Sequence, residues 1–197
     1  MIFTADPVEK TPPGAGHSSF DLIEAPKFFA GLKLGRGITF LDLGCGEGHY
    51  TLAVADAIGK DGLIYALDLW QPGIKALEEQ AAAAGRRNIK AILTDISKPF
   101  PLADQSVDVA LMATVLHDLL EFGLGDAALK ETARVLKPGG TLAIVEFKKI
   151  EGPPGPPLRV RLAPEEVEMV VTPHGFRKTR RTEVGPFNYL ILFAKEA

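Results

Sequence analysis

Between residues 38 and 147 the chain alternates short apolar runs with longer amphipathic stretches. Ile38–Leu43, Leu63–Asp68, Ile89–Asp95, Val107–Met112 and Thr141–Phe147 read as strands. The nearly unbroken apolar character of the fourth suits a strand covered on both faces. His49–Ile58, Pro72–Ala84 and Asp126–Lys137 read as helices. Gly59 and Gly85 stand where a helix stops, Pro72 fits a first turn, and Pro138-Gly139-Gly140 is expected to terminate the third helix. Strand–helix alternation of this kind implies a parallel sheet with right-handed crossovers, hence an open, Rossmann-like α/β fold with helices on both faces. Past Glu151–Pro157, whose prolines and glycines leave little backbone to pair and which reads as a stiff loop, a helix resumes over Pro164–Val171. Arg177–Val184 and Tyr189–Lys195, joined by Gly185-Pro186-Phe187-Asn188, predict a closing antiparallel hairpin and bring the sheet to seven strands.

Upstream, Thr4–Gly16 is polar and rich in Pro and Gly and reads as a loose arm. Ser19–Ala25 and Lys27–Leu32 read as two short helical pieces separated by Pro26. Residues 1–35 are therefore expected to form an arm and lid, and residues 36–197 a single principal domain.

Composition narrows the class. A chain of 197 residues that is 46% hydrophobic makes one ordinary domain, burying roughly 70% of its unfolded surface. The net charge of −3 supplies no general basic field, which argues against a dedicated nucleic-acid binder. A single cysteine, Cys45, excludes an intrachain disulfide and a multi-cysteine zinc site, and with four scattered histidines no metal is expected. The first residues lack the basic-then-apolar pattern of a signal peptide, and no run approaches the roughly 18 apolar residues of a membrane span. A soluble, cytoplasmic protein is expected.

The chemistry concentrates in Leu41-Asp42-Leu43-Gly44-Cys45-Gly46-Glu47-Gly48. Glycines after a strand allow a tight turn and let a ligand approach the backbone, while the next helix offers free N–H groups. In open parallel sheets ligands bind beyond the carboxyl ends of the strands, where this loop falls. His49 occupies the place of the third glycine of a dinucleotide fingerprint, and no phosphate-binding Gly-Lys-Ser/Thr loop is present. Asp68, 24 residues after Gly44, ends the second strand and is placed to accept ribose hydroxyls. Asp95 ends the third and could face an adenine amino group. Each of these aspartates alone is an ordinary cap or loop residue. Together, Asp42, Asp68 and Asp95 would repel a pyrophosphate but accept a cationic nucleoside, which favours a sulfonium cofactor over NAD or FAD.

With the loop, Asp68, Thr94-Asp95-Ile96, Val107-Asp108-Val109-Ala110-Leu111, Leu116-His117-Asp118 and Leu136-Lys137-Pro138-Gly139-Gly140-Thr141, the sequence resembles class I S-adenosylmethionine-dependent methyltransferases. Within these it is most similar to the small type 11 group, over roughly residues 36–195. The resemblance implies S-adenosyl-L-methionine as cofactor and S-adenosyl-L-homocysteine as product. It implies that Gly44 and Gly46 carry the methionine part with Asp42 bordering its amino group. It further implies that Asp68 holds the ribose, Leu69 lies beside the adenine, Asp95 and Ile96 bind the adenine edge, and the main chain near Ala113 receives the amino group. Cys45 reads as a small residue whose backbone meets the cofactor. Glu47 departs from the family's usual Thr or Ser.

Methyl transfer from a sulfonium is an in-line displacement, so a general base is needed only where the acceptor carries a proton that must leave. His117 is the candidate, with Asp118, Glu146, His17 and His174 behind it. The more ordinary reading of His117 is a histidine hydrogen-bonded at a helix start. His17 lies on the arm and could fold over the cofactor. Arg177, Lys178, Arg180 and Arg181 form a basic strand, either a solvated face or a site for an anion. The expected acceptor is a small molecule, because the fold leaves little room for a target-recognition domain. A non-catalytic adenosylmethionine-binding regulator and a methyltransferase acting on a protein or RNA fit the same motifs. Neither the methylated atom nor the oligomeric state can be read from the sequence.

Overall fold

The computed structural model describes residue 12 and residues 14–197, so the stretch of the expected arm before residue 12 lies outside the described residues. A 3-10 turn at Phe20–Leu22 precedes α1 (Ala25–Leu32), β1 (Thr39–Leu43), α2 (His49–Ile58), β2 (Leu63–Asp68), α3 (Gln71–Ala83) and β3 (Ile89–Leu93). There follow β4 (Val107–Ala113), α4 (Leu116–Glu121), α5 (Gly125–Val135), β5 (Leu136–Phe147), α6 (Pro164–Val171), β6 (Phe176–Glu183) and β7 (Asn188–Lys195). The seven strands form one sheet in the order β3-β2-β1-β4-β5-β7-β6. Strands β1 to β5 pair in parallel, and β7 runs antiparallel between β5 and β6.

Alternation along each strand feeds both faces. Phe40 packs with Phe28 of α1 and Val54 and Ile58 of α2 on one side. Leu41 and Leu43 pack with Leu116 of α4, Leu129 of α5 and Val167 of α6 on the other. The strand order reverses between β1 and β4, which makes the crevice beyond their carboxyl ends the switch point where ligands bind in such sheets.

Three local expectations are corrected. Pro26 does not separate two helices: it lies in the first turn of α1, where its missing N–H has no partner to lose. Pro138-Gly139-Gly140 does not terminate α5. That helix ends at Val135, and the buried Leu136 is already extended and paired with Val107, so Lys137–Gly140 forms an irregular stretch within β5. Finally, α4 was not among the predicted elements. It is six residues long, too short for a periodic signal, and is held by burial of Leu116 and Leu119.

The Pro-rich segment is ordered around one side chain. Arg161, 3% exposed, donates from Nε to the Pro156 carbonyl at 2.8 Å, and from its Nη atoms to those of Ile150 and Gly152 at 2.6 Å each and Pro154 at 3.0 Å. Its guanidinium also lies over the Phe147 ring. A loop with few amides of its own to pair thus closes its carbonyls on a buried fork of donors at the end of β5. Strand β6 carries Arg177, Lys178, Arg180 and Arg181 exposed at the sheet edge. Lys178 pairs with Glu168, and Arg181 with Glu183 at 3.0 Å. Charged side chains on an edge strand discourage a further strand from adding there.

Candidate functional site

The glycine loop leaves β1 and crosses to α2. The amides of Gly44 and Cys45 both donate to the Leu67 carbonyl, at 2.8 and 3.1 Å, which pins the loop to β2. Gly44 has φ +74, and a Cβ there would stand 2.5 Å from Cγ2 of Val115, just beyond β4. The two loops at the switch point therefore touch through a glycine that nothing larger can replace. Gly46, at φ +53, has no atom within 4 Å of where its Cβ would be, and so lines an open cradle. Gly44→Ala is expected to cost about 3 kcal/mol, strain and overpacking together, whereas Gly46→Ala costs about 1 kcal/mol of strain alone. Thermal melts of the two variants, compared with the parent protein, check this.

Three carboxylates stand at or just past the carboxyl ends of β1, β2 and β3. Asp42, 1% exposed, accepts the Thr51 hydroxyl at 2.5 Å. Burial pushes its carboxyl up to about 7; the Thr51 hydrogen bonds oppose this and the charge of Asp68 adds to it. Asp68, 8% exposed, accepts the Gly46 amide on Oδ2 and the Trp70 amide on Oδ1, both at 2.8 Å, and so joins the glycine loop to the start of α3. Asp95 accepts the amide and hydroxyl of Ser97 on Oδ1, at 2.8 and 2.7 Å. Leu69 is exposed beside Asp68. Ile96 is buried and packs into the core, which leaves its backbone for any ligand contact. The Cys45 thiol is buried and pushed up, first by burial and then by Asp42 and Asp68. A buried carboxylate pair beside an open, backbone-lined cradle fits a ligand that is polar and carries positive charge.

Beyond β4, Ala113 is half-buried. Thr114 adopts φ +55, its amide donates to the Val145 carbonyl at 2.7 Å, and its hydroxyl meets Ser19 Oγ at 3.2 Å. Ser19 Oγ also meets the Tyr50 hydroxyl at 3.0 Å. A Cβ at Gly14 would lie 3.9 Å from Asp118, and one at Gly16 3.6 Å from Trp70. Residues 14–19 thus run across the carboxyl end of the sheet from α4 to the β2 loop. Sequence reasoning missed Ser19, Tyr50, Thr114 and Trp70; their only signal would have been the positive φ of Thr114, which no residue type betrays.

His117, the second residue of α4, is 5% exposed, and its Nδ1 lies 2.8 Å from Oε2 of the fully buried Glu146 at the end of β5. Of the other candidates, His17 is exposed on the arm, and His174 lies 3.3 Å from Asp126 on α5, remote in sequence and role from the glycine loop.

The sequence profile of the methyltransferase-domain family matches residues 34–171. A demethylmenaquinone methyltransferase of Geobacillus stearothermophilus is 33% identical over 116 residues, 58% of this chain and 47% of that protein. An arsenite methyltransferase of Halobacterium salinarum is 34% identical over 119 residues, 60% of this chain and 29% of that protein. The chain spans less than half the length of either. The crystal structure of a SAM-dependent methyltransferase from Aquifex aeolicus superposes with a TM-score of 0.82 at 29% identity, covering 94% of both chains. By a profile that spans well over half its length, and with the glycine loop at the sheet's switch point, this chain belongs to the methyltransferase-domain family.

Proposed function

We propose that the protein transfers a methyl group from S-adenosyl-L-methionine to a small-molecule acceptor. The observation that carries this is Asp68, whose carboxylate ties the open Gly46 cradle to the β2 loop and retains a second lone pair on each oxygen for ribose hydroxyls. Asp42 faces the amino group of the cofactor; the backbone of Gly44, Cys45 and Gly46 underlies its methionine part. Leu69, Asp95 and Ile96 take the adenine, and the main chain near Ala113 receives the amino group. When bound, the sulfonium supplies an activated methyl electrophile. The chain's part is to hold the acceptor in line and exclude water, a task suited to residues 14–19 and the Arg161-centred loop at two sides of the same crevice. The family relatives named for demethylmenaquinone and arsenite act, by those names, on small molecules, which supports the acceptor class. Arsenic chemistry is disfavoured here, because the one cysteine is a buried thiol pushed away from thiolate.

Calorimetric titration with S-adenosylmethionine, S-adenosylhomocysteine and NAD tests the reading. Micromolar binding of the two sulfur compounds without heat from NAD is expected. Absence of binding by both would remove the cofactor assignment.

A further inference from the structure

We propose that His117 is the general base of the acceptor site, oriented by Glu146, and that the acceptor carries an acidic hydroxyl such as a phenol or enol; this rests on the methyl-transfer reading above. Glu146 is fully buried, and among the described residues the cationic partner within ion-pair distance of it is His117. Its carboxylate accepts the His117 amide on Oε1 at 3.1 Å, and the Phe147 amide on Oε2 at 3.3 Å beside His117 Nδ1 at 2.8 Å. These contacts use both carboxylate oxygens and fix Nδ1 as the protonated nitrogen of the neutral ring, so that the free lone pair is on Nε2. A carboxylate that orients an imidazole from behind in this way sets its tautomer without taking a proton itself.

Among the described residues Nε2 has no hydrogen-bond partner. It lies 3.6 Å from Oδ1 of Asp118, too far for a hydrogen bond. The fully buried polar side-chain atoms without partners, among the described residues, are His49 Nδ1 and Asn188 Oδ1. Nε2 is not one of them, and the side chain keeps 5% exposure. His117 follows two residues after Val115, whose side chain packs against Gly44 of the glycine loop at the switch point.

The proton balance is simple. The acceptor O–H bond breaks, its electron pair stays on oxygen, and the proton bonds to Nε2, giving an imidazolium held against the Glu146 carboxylate. The resulting oxyanion is the stronger nucleophile for an electrophilic methyl group. A sulfide acceptor, with a free lone pair and no proton to lose, would need no such group.

The electrostatic surroundings agree. Burial pulls the His117 imidazolium down, but the hydrogen bond and charge of Glu146, with Asp118 and Glu121 of α4, more than offset it and hold the ring above the ordinary imidazole range. Arg159, the cation approaching α4 from the 3-10 turn at Leu158–Val160, is paired with Glu121. Tyr50 of α2 and Tyr189 of β7, both close enough to feel Glu146, are pushed up and stay neutral.

The test uses the full chain loaded with S-adenosylhomocysteine and para-nitrophenol as probe, followed over a pH series that spans the probe's own ionisation. The phenolate absorption band should appear on binding, fall at least about tenfold in His117→Gln, and weaken in Glu146→Gln. Calorimetry should show homocysteine-compound affinity within about threefold of the parent protein in both variants, which establishes that they are folded. A phenolate band that persists in His117→Gln overturns the proposal, as does a probe that stays unbound or binds the parent protein as neutral phenol. Failure of S-adenosylhomocysteine to bind the parent protein overturns the methyl-transfer reading instead, so the two outcomes are separable.

Discussion

Asp68→Ala is expected to lower the affinity for S-adenosylmethionine by about 100-fold or more, while Asp61→Ala, in the exposed turn before β2, leaves it within about twofold of the parent protein. The size follows from what the side chain holds. Each Asp68 oxygen accepts a backbone amide, one from Gly46 and one from Trp70, at 2.8 Å. Alanine therefore strands two amides and frees the glycine loop from the β2 loop, besides removing the acceptors offered to the ribose. Hydrogen bonds to a charged group contribute about 1.5–3 kcal/mol each, so loss of two in the ligand-bound state reaches the 100-fold range. Asp68→Asn keeps the volume and one acceptor and should fall between. Calorimetric titration of the three variants decides; a loss below about threefold for Asp68→Ala would show that the carboxylate does not bind the cofactor.

Asp42→Asn should make the protein more stable and the cofactor weaker. Burial raises the Asp42 carboxyl from 3.8 to about 7, so between those values the folded chain keeps a proton that the unfolded chain has released. Stability contributed by this group is accordingly highest below the unfolded value and declines as pH rises through about 7, by a total on the order of 4 kcal/mol. Asparagine cannot ionise and carries no such loss. Denaturant unfolding at a series of pH values should show the variant gaining on the parent protein across that window and holding its advantage above it. The ligand responds with the opposite sign. A positively charged amino group favours ionised Asp42, so cofactor affinity in the parent protein should climb toward pH 7, and the variant should lose that climb and bind about tenfold more weakly at neutral pH. Parallel unfolding curves for the two proteins across the window would show that Asp42 is ionised throughout.

The charge of Asp68 adds to the burial that raises the Asp42 carboxyl, and Thr51 supplies Asp42 a hydroxyl. On the methyl-transfer proposal a cationic ligand offsets that cost, and stability given up at Asp42 returns as binding energy.

How much of this was readable before folding depends on the range over which each signal acts. Strands β1, β2, β4 and β7 are buried and apolar, and glycine or proline stands in the connection before each, so their places follow from periodicity and local steric preference alone. The aspartates at the ends of β1 and β2 could be read for the same reason: a single carboxylate at the edge of an apolar run marks the carboxyl end of a strand. Helix α4 could not, because six residues carry less than two turns of pattern and its stability comes from Leu116 and Leu119 entering the core. The stretch Lys137–Gly140 misled because Pro and Gly do break helices, yet Leu136 had already left α5 to pair with Val107.

The sequence by itself determined the alternating α/β plan, the glycine loop, and the carboxylates at Asp42, Asp68 and Asp95, since each is a property of a few neighbouring residues. Only the tertiary structure decided which of them meet. His117 finds Glu146 across 29 positions because β4 and β5 are neighbours. Ser19 finds Thr114 across 95 because the arm crosses the sheet, and Arg161 gathers carbonyls from Ile150, Gly152, Pro154 and Pro156 because a buried guanidinium must use all its donors. Such pairings depend on strand order and on the cost of leaving a buried polar group alone, and neither is encoded in any local run of residues.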